Sequence, residues 1–123
     1  MRFEAAVDAG GSLQDGLEAC LPLDDDRLLD WRVIIAFWGV AVADPELARV
    51  QDGHVSRARA RVEKLLRKER RPEGDPPPDL AMLAQQIVAL TLGIALQAVF
   101  EPVTTAPLPQ RALLTGGLDR LVR

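Results

Sequence analysis

The chain has 123 residues, 48% of them apolar, and a formal net charge of −3 with a pI near 5.1. That is enough apolar material for a folded core and too little positive charge for a stand-alone nucleic-acid binder. The single cysteine, Cys20, excludes an internal disulfide framework, and the acid-interrupted first residues exclude a signal peptide, so the expected compartment is the cytoplasm.

Proline and glycine punctuate the sequence, and the segments between them read as helices. Strand-like alternation is lacking and tyrosine is absent, so the expected fold class is all-α, with residues 1–123 forming a single helical unit. Phe3 to Asp8 reads as the tail of a helix that stops at Gly10-Gly11. Ser12, with Asp15 three residues on, has the form of a capping box and predicts a short helix through Cys20 or Leu21. Cys20 reads as a small apolar packing residue.

Asp24, Asp25 and Asp26 suit the start of the next helix, where carboxylates meet free N–H groups and the positive dipole end. Three adjacent acids are not read as a metal site, because successive helical residues point in different directions. This helix is expected to run to about Ala43. Trp31, Ile34, Ile35, Trp38 and Val42 fall on one face and Val33, Phe37 and Val40 on another, which predicts an interior helix.

Asp44-Pro45-Glu46 combines a cap, a proline at the first helical position and an acid in the first turn. The helix it opens should reach about Glu69. Its apolar stripe is Leu47, Val50, Ala58, Val62 and Leu65, with Gln51 and His54 on or beside it. Its last turns are basic, through Arg57, Arg59, Arg61, Lys64, Arg67, Lys68, Arg70 and Arg71, diluted by Glu63 and Glu69, and read as a solvated face that suits the negative helix end. Arg71 to Pro78 must be a connecting loop.

Asp79 starts the most apolar segment, Leu80 to Phe100, which Pro102 ends. Gln85, Gln86 and Gln97 interrupt it and no Lys or Arg cluster follows, so it is expected to be a doubly buried core helix rather than a membrane span. Leu83, Ile87, Leu90 and Ile94 make its bulky side, while Met82, Gln86, Ala89, Gly93 and Gln97 make a smaller, more polar one. A last helix, introduced by Pro107-Leu108-Pro109, offers Leu113, Leu114, Leu118 and Leu121 at helical spacing. Its Gly116 and Gly117 weaken it but allow another backbone to approach closely.

The run Asp30-Trp31-Arg32-Val33-Ile34-Ile35-Ala36-Phe37-Trp38, followed by Ala43-Asp44-Pro45-Glu46-Leu47-Ala48, resembles the carboxy-terminal domain of TetR/AcrR regulators, and of the BetI-like group in particular. Ala89 to Ala98 is similar to a second helix of that family. Order and spacing agree from about Ser12 onward. Two departures stand out: Leu92 takes a position where the family often has Asp, and no segment before Ser12 is long enough for a helix-turn-helix unit. Residues 1–11 would then be the remnant of the helix that links such a unit to the sensor, and operator DNA would be reached only through the missing part.

The resemblance implies a helical bundle whose last two helices pair with those of a second copy into a four-helix dimer interface. On the residues, Met82, Gln86, Ala89, Gly93 and Gln97, together with Leu113, Leu114, Gly117, Leu118 and Leu121, are the expected homodimer contacts. The resemblance also implies a cavity for a small hydrophobic effector. Its expected lining is Trp31, Ile34, Ile35, Trp38, Gln51, His54, Leu83, Ile87 and Leu90, with Gln51 and His54 as polar anchors. The plainer reading of the same residues is a half-buried histidine and two core tryptophans.

Catalysis is not expected: the chain has one histidine and one cysteine and lacks GxSxG and HExxH patterns, so no catalytic residue, metal ligand or cofactor is assigned. The function these readings imply is effector sensing and dimerisation within a TetR-type repressor. A stand-alone module that dimerises with a partner regulator without binding DNA is the alternative.

Overall fold

The computed structural model describes residues 2–69 and 79–122, which form six helices and no strand. These are α1 (Arg2–Asp8), α2 (Leu13–Cys20), α3 (Asp25–Ala41), α4 (Pro45–Glu69), α5 (Leu80–Phe100) and α6 (Pro107–Val122). The expected proline-rich loop lies outside the described residues.

Local chemistry sets most helix starts. Ser12 and Asp15 form a capping box in which the Ser12 hydroxyl accepts from the Asp15 N–H and the Asp15 carboxylate accepts from the Ser12 N–H. Asp24 caps α3 by accepting from the Arg27 N–H at 2.9 Å, and Asp79 caps α5 by accepting from the Met82 N–H at 3.1 Å. The Asp44 carboxylate accepts from the Glu46 N–H just before α4. Gly10, at φ 94, takes the left-handed conformation that turns the chain out of α1.

The Arg27 guanidinium bonded to Asp24, reinforced by the Arg27 N–H, holds the Asp24 carboxyl below its ordinary value. A folded-state pKa below the unfolded one stabilises the fold above the unfolded value, and the gain disappears as pH falls through the folded value. Wild type and Asp24→Ala are therefore expected to differ in thermal midpoint at neutral pH and to converge under acid, with the wild type falling toward the variant. A constant difference across an acid titration by circular dichroism would contradict this.

The core joins one face of α2 (Leu13, Leu17, with Leu21 after it), the last turns of α4 (Val62, Leu65, Leu66), the inner face of α5 (Ala84, Ile87, Val88, Ile94) and the stripe Leu114–Leu118 of α6. Phe3 and Val7 of α1 pack against it from one side. Partly exposed ion pairs, Arg2–Asp30 at 2.7 Å and Arg61–Glu4 at 2.6 Å, tie α1 to α3 and α4. Pairs of this kind fix orientation more than they stabilise.

Two expectations about burial are corrected. Helix α3 is not interior: only Trp31 and Ala41 are buried, whereas Leu29, Val33, Val40 and Val42 are more than half exposed. It also stops at Ala41 rather than Ala43. Apolar residues occur all round this helix, yet α4 and α5 cover only one flank of it. Helix α5 is long and apolar enough to cross a membrane by length and composition, but within the fold one of its faces is buried on α4 and α6. Its other face is open rather than buried twice, with Met82, Gln86, Ala89 and Gln97 exposed.

Candidate functional site

Both expected sites can be traced residue by residue. Trp31 is buried and its indole N–H donates to the Cys20 carbonyl at 2.7 Å. Trp38 lies edge-on to it, ring centroids 6.0 Å apart at 76°. Such a pair is favoured by the ring quadrupoles. The Trp38 Nε1 is buried and has no hydrogen-bond partner among the described residues. A buried donor of this kind costs about 1–3 kcal/mol until something accepts from it. Ile34 and Ile35 follow on the same helix, the first exposed and the second half-buried.

The rest of the expected effector lining is not assembled around this pair. His54 is exposed, its Nδ1 3.0 Å from the Arg57 guanidinium, and Gln51 is half-buried. The α4 stripe turns its carboxy-terminal half to the core, while Val50 and His54 on its amino-terminal half remain exposed. Ile87 is fully buried in the core, and Leu83 and Leu90 pack against that core. Leu90 also occupies the space that Gly117 leaves open. A Cβ placed on Gly117 would lie 2.5 Å from the Leu90 Cδ2, so this glycine lets α6 close on α5. Ile87, Leu83 and Leu90 are packing residues of the protomer.

The expected dimer residues divide into two sets. Met82, Gln86, Ala89 and Gln97 are exposed along one side of α5, with Gly93 among them and Leu113 of α6 beyond. Leu114 and Leu118 are buried within the protomer, Gly117 is occupied by Leu90, and Leu121 packs against the core. Within the protomer those four make intramolecular contacts. The Leu114–Leu118–Leu121 stripe is the strongly apolar side of α6, and the nearest large apolar surface, α5, takes it.

Sequence reasoning missed two features. An open groove of about 500 Å³ lies where α5 passes into α6, lined by Gln97, Glu101, Thr104, Thr105, Pro109, Ala112 and Leu113. Beside it Gln110 is 2% exposed, its Nε2 donating to the carbonyls of Pro22 and Thr105, both at 3.1 Å. A signal was present: Gln110 stands four residues before Leu114, so it extends the leucine stripe with a polar residue. The groove had none, being made by a turn.

Cys20 is half-buried, and burial pushes its thiol up in pKa, as suits a packing residue rather than a nucleophile. Among the described residues no group of three or more His, Cys, Asp or Glu could hold a metal ion. At the basic end of α4, Lys64, Arg67 and Lys68 are exposed.

Comparison with known proteins gives a family match along almost the whole chain. The profile of the BetI-type transcriptional repressor carboxy-terminal family covers residues 11–123. The fold matches the crystal structure of a transcriptional regulator from Rhodococcus sp. Rha1 with a TM-score of 0.78 at 24% identity, over 98% of this chain and 75% of that one. No curated protein matches the sequence. With six helices in this arrangement and a family match from Gly11 to the last residue, the chain belongs to the BetI-type carboxy-terminal family of TetR regulators.

Proposed function

We propose that this domain senses a small apolar effector and dimerises through α5 and α6 within a TetR-type repressor. The observation that carries the dimer reading is the open side of α5. Met82, Gln86, Ala89, Gly93 and Gln97 form the less bulky, more polar side of the most apolar helix of the molecule, and the exposed Leu96, Phe100 and Leu113 lie along and beyond it. A helix this apolar with an uncovered face buries it against a second copy, and two hairpins placed strip to strip make a four-helix interface.

The effector reading rests on Trp31 and Trp38. Their rings supply apolar surface, the exposed Ile34 extends it, and the unpartnered Trp38 N–H provides one directional donor for an acceptor on the ligand. The proposed site is therefore smaller than the expected one, and Gln51 and His54 drop out of it.

Sedimentation equilibrium tests the dimer: a 13.4 kDa chain should approach twice that mass at micromolar concentration. A monomer throughout that range refutes it. Both tryptophans lie on α3, so screening apolar acceptors by tryptophan fluorescence reads the effector site directly. Saturable quenching that is lost in Trp38→Ala is the expected result, and quenching that survives the variant would place the ligand elsewhere.

A further inference from the structure

We propose that Gln110 is a positioning residue that couples the seating of a second copy in the α5–α6 groove to the setting of α3, and thereby to Trp31 and Trp38. This inference rests on the dimer reading above.

The segment Cys20–Pro22 between α2 and α3 is held from two sides. Trp31 donates its indole N–H to the Cys20 carbonyl at 2.7 Å, and Gln110 donates its amide to the Pro22 carbonyl at 3.1 Å. Leu21 between them is fully buried, so the strap cannot shift without the core. Arg27 fixes the start of α3 to the same place, bonding the Glu18 and Ala19 carbonyls at 3.2 and 3.1 Å and the Asp24 cap. On its other side the Gln110 amide donates to the Thr105 carbonyl at 3.1 Å. Thr105 and Pro109, the neighbour of Gln110, both line the groove.

A continuous series of bonds therefore runs from the groove wall through Gln110 and Pro22 to the first turns of α3. The occupant of the groove is taken to be a second copy because Gln97 and Leu113, two residues of the exposed α5–α6 strip, form part of its wall. Displacing Thr105 or Pro109 on seating must either break the Gln110 bonds or move Pro22 with them.

The choice of side chain supports this role. Gln110 continues the stripe of Leu114, Leu118 and Leu121, where a leucine would satisfy packing alone. Glutamine leaves its Oε1 buried without a partner among the described residues. An apolar residue of similar shape would leave the buried Pro22 and Thr105 carbonyls without their donor, so what the amide adds at this position is its two donated bonds. Gln14 joins α2 to α6 through a bond from its Nε2 to the Thr115 hydroxyl at 2.8 Å, but that bond is exposed and does not touch the strap, so it serves as a control.

The test uses the 123-residue chain and its two tryptophans, both on α3. Tryptophan emission and sedimentation equilibrium are measured over one concentration series that spans dissociation. In the wild type, emission should track dimer fraction. In Gln110→Met the dimer should form within about threefold of the wild-type dissociation constant, while the emission change falls to less than a fifth of its amplitude. Gln14→Ala should retain the full change.

Dimerisation with flat wild-type emission, or with Gln110→Met tracking as fully as wild type, overturns the coupling and leaves the dimer standing. A wild-type monomer at every concentration overturns the dimer reading and the coupling together. Should Gln110→Met fail to fold, amide exchange of the wild type decides: protection across residues 21–28 must rise with dimer fraction, and unchanged protection rejects the proposal.

Discussion

Replacing Gly93 by arginine is expected to leave the protomer folded and to weaken dimerisation by about a hundredfold, ~3 kcal/mol, the scale of an unpaired charge forced into an interface. A Cβ built on Gly93 meets no heavy atom within 4 Å, so the protomer has room for the new side chain. Glycine inside a helix costs about 1 kcal/mol relative to a good helix former, so α5 should even gain slightly in local stability. Among the described residues nothing stands within 4 Å of that Cβ, so the guanidinium is expected to act on a partner approaching the strip that Gly93 shares with Ala89 and Gln97. Sedimentation equilibrium gives the loss of dimer, and the helical signal by circular dichroism should be unchanged. Unaltered affinity would put Gly93 outside the interface and require another face to be the contact. Gly117 offers the contrast, since its missing Cβ is space that Leu90 of the same chain fills.

The second large effect is expected at Leu114. This side chain is fully buried between α5 and α6, so truncation to alanine removes transfer free energy and opens a cavity, together worth about 2–5 kcal/mol. Against a total domain stability of about 5–15 kcal/mol, such a loss lowers the thermal midpoint by roughly 10 °C or more. Leu113, one residue earlier and 45% exposed, should lose little when truncated in the isolated protomer. The comparison belongs in the Gly93→Arg background, where association no longer adds to apparent stability. In the wild-type background Leu113→Ala is expected to act mainly on the dimer. Equal costs for Leu113→Ala and Leu114→Ala in the monomeric background would show that α6 is rotated from the orientation described.

These two variants also separate what is local from what is not. The helix starts were legible in the sequence, because a cap is settled within four residues: Ser12 with Asp15, Asp24 with Arg27, Asp79 with Met82. Helix ends were nearly as clear where proline or glycine forced them, at Gly10 and before Pro102. The end of α3 was misjudged by two residues, since nothing in Val40 to Ala43 forbids further helical backbone. The family, too, was legible, from the Trp31–Trp38 run with Asp44-Pro45 and from the Ala89–Ala98 helix.

Faces were another matter. A helix with one apolar stripe buries that side, as Leu13 and Leu17 of α2 and Leu21 just after it do at four-residue spacing. In α3 and α5 apolar residues occur on every side, so periodicity selects no face and neighbours decide. Helix α4 covers the Ile87 side of α5 and leaves the Gly93 strip open, whereas α3, with few neighbours, exposes Leu29, Val33 and Val40. The same competition assigned Leu114 and Leu118 to the protomer and Leu113 to its surface.

Caps and the turns at Gly10 and Pro102 were thus determined by the sequence itself, because each is a contest among groups a few residues apart. The burial of α3, the division of α6 and the link from Gln110 to Pro22, 88 positions away in the chain, were decided only by the tertiary structure, because each depends on which distant surface arrives first to cover an apolar side or accept a hydrogen bond.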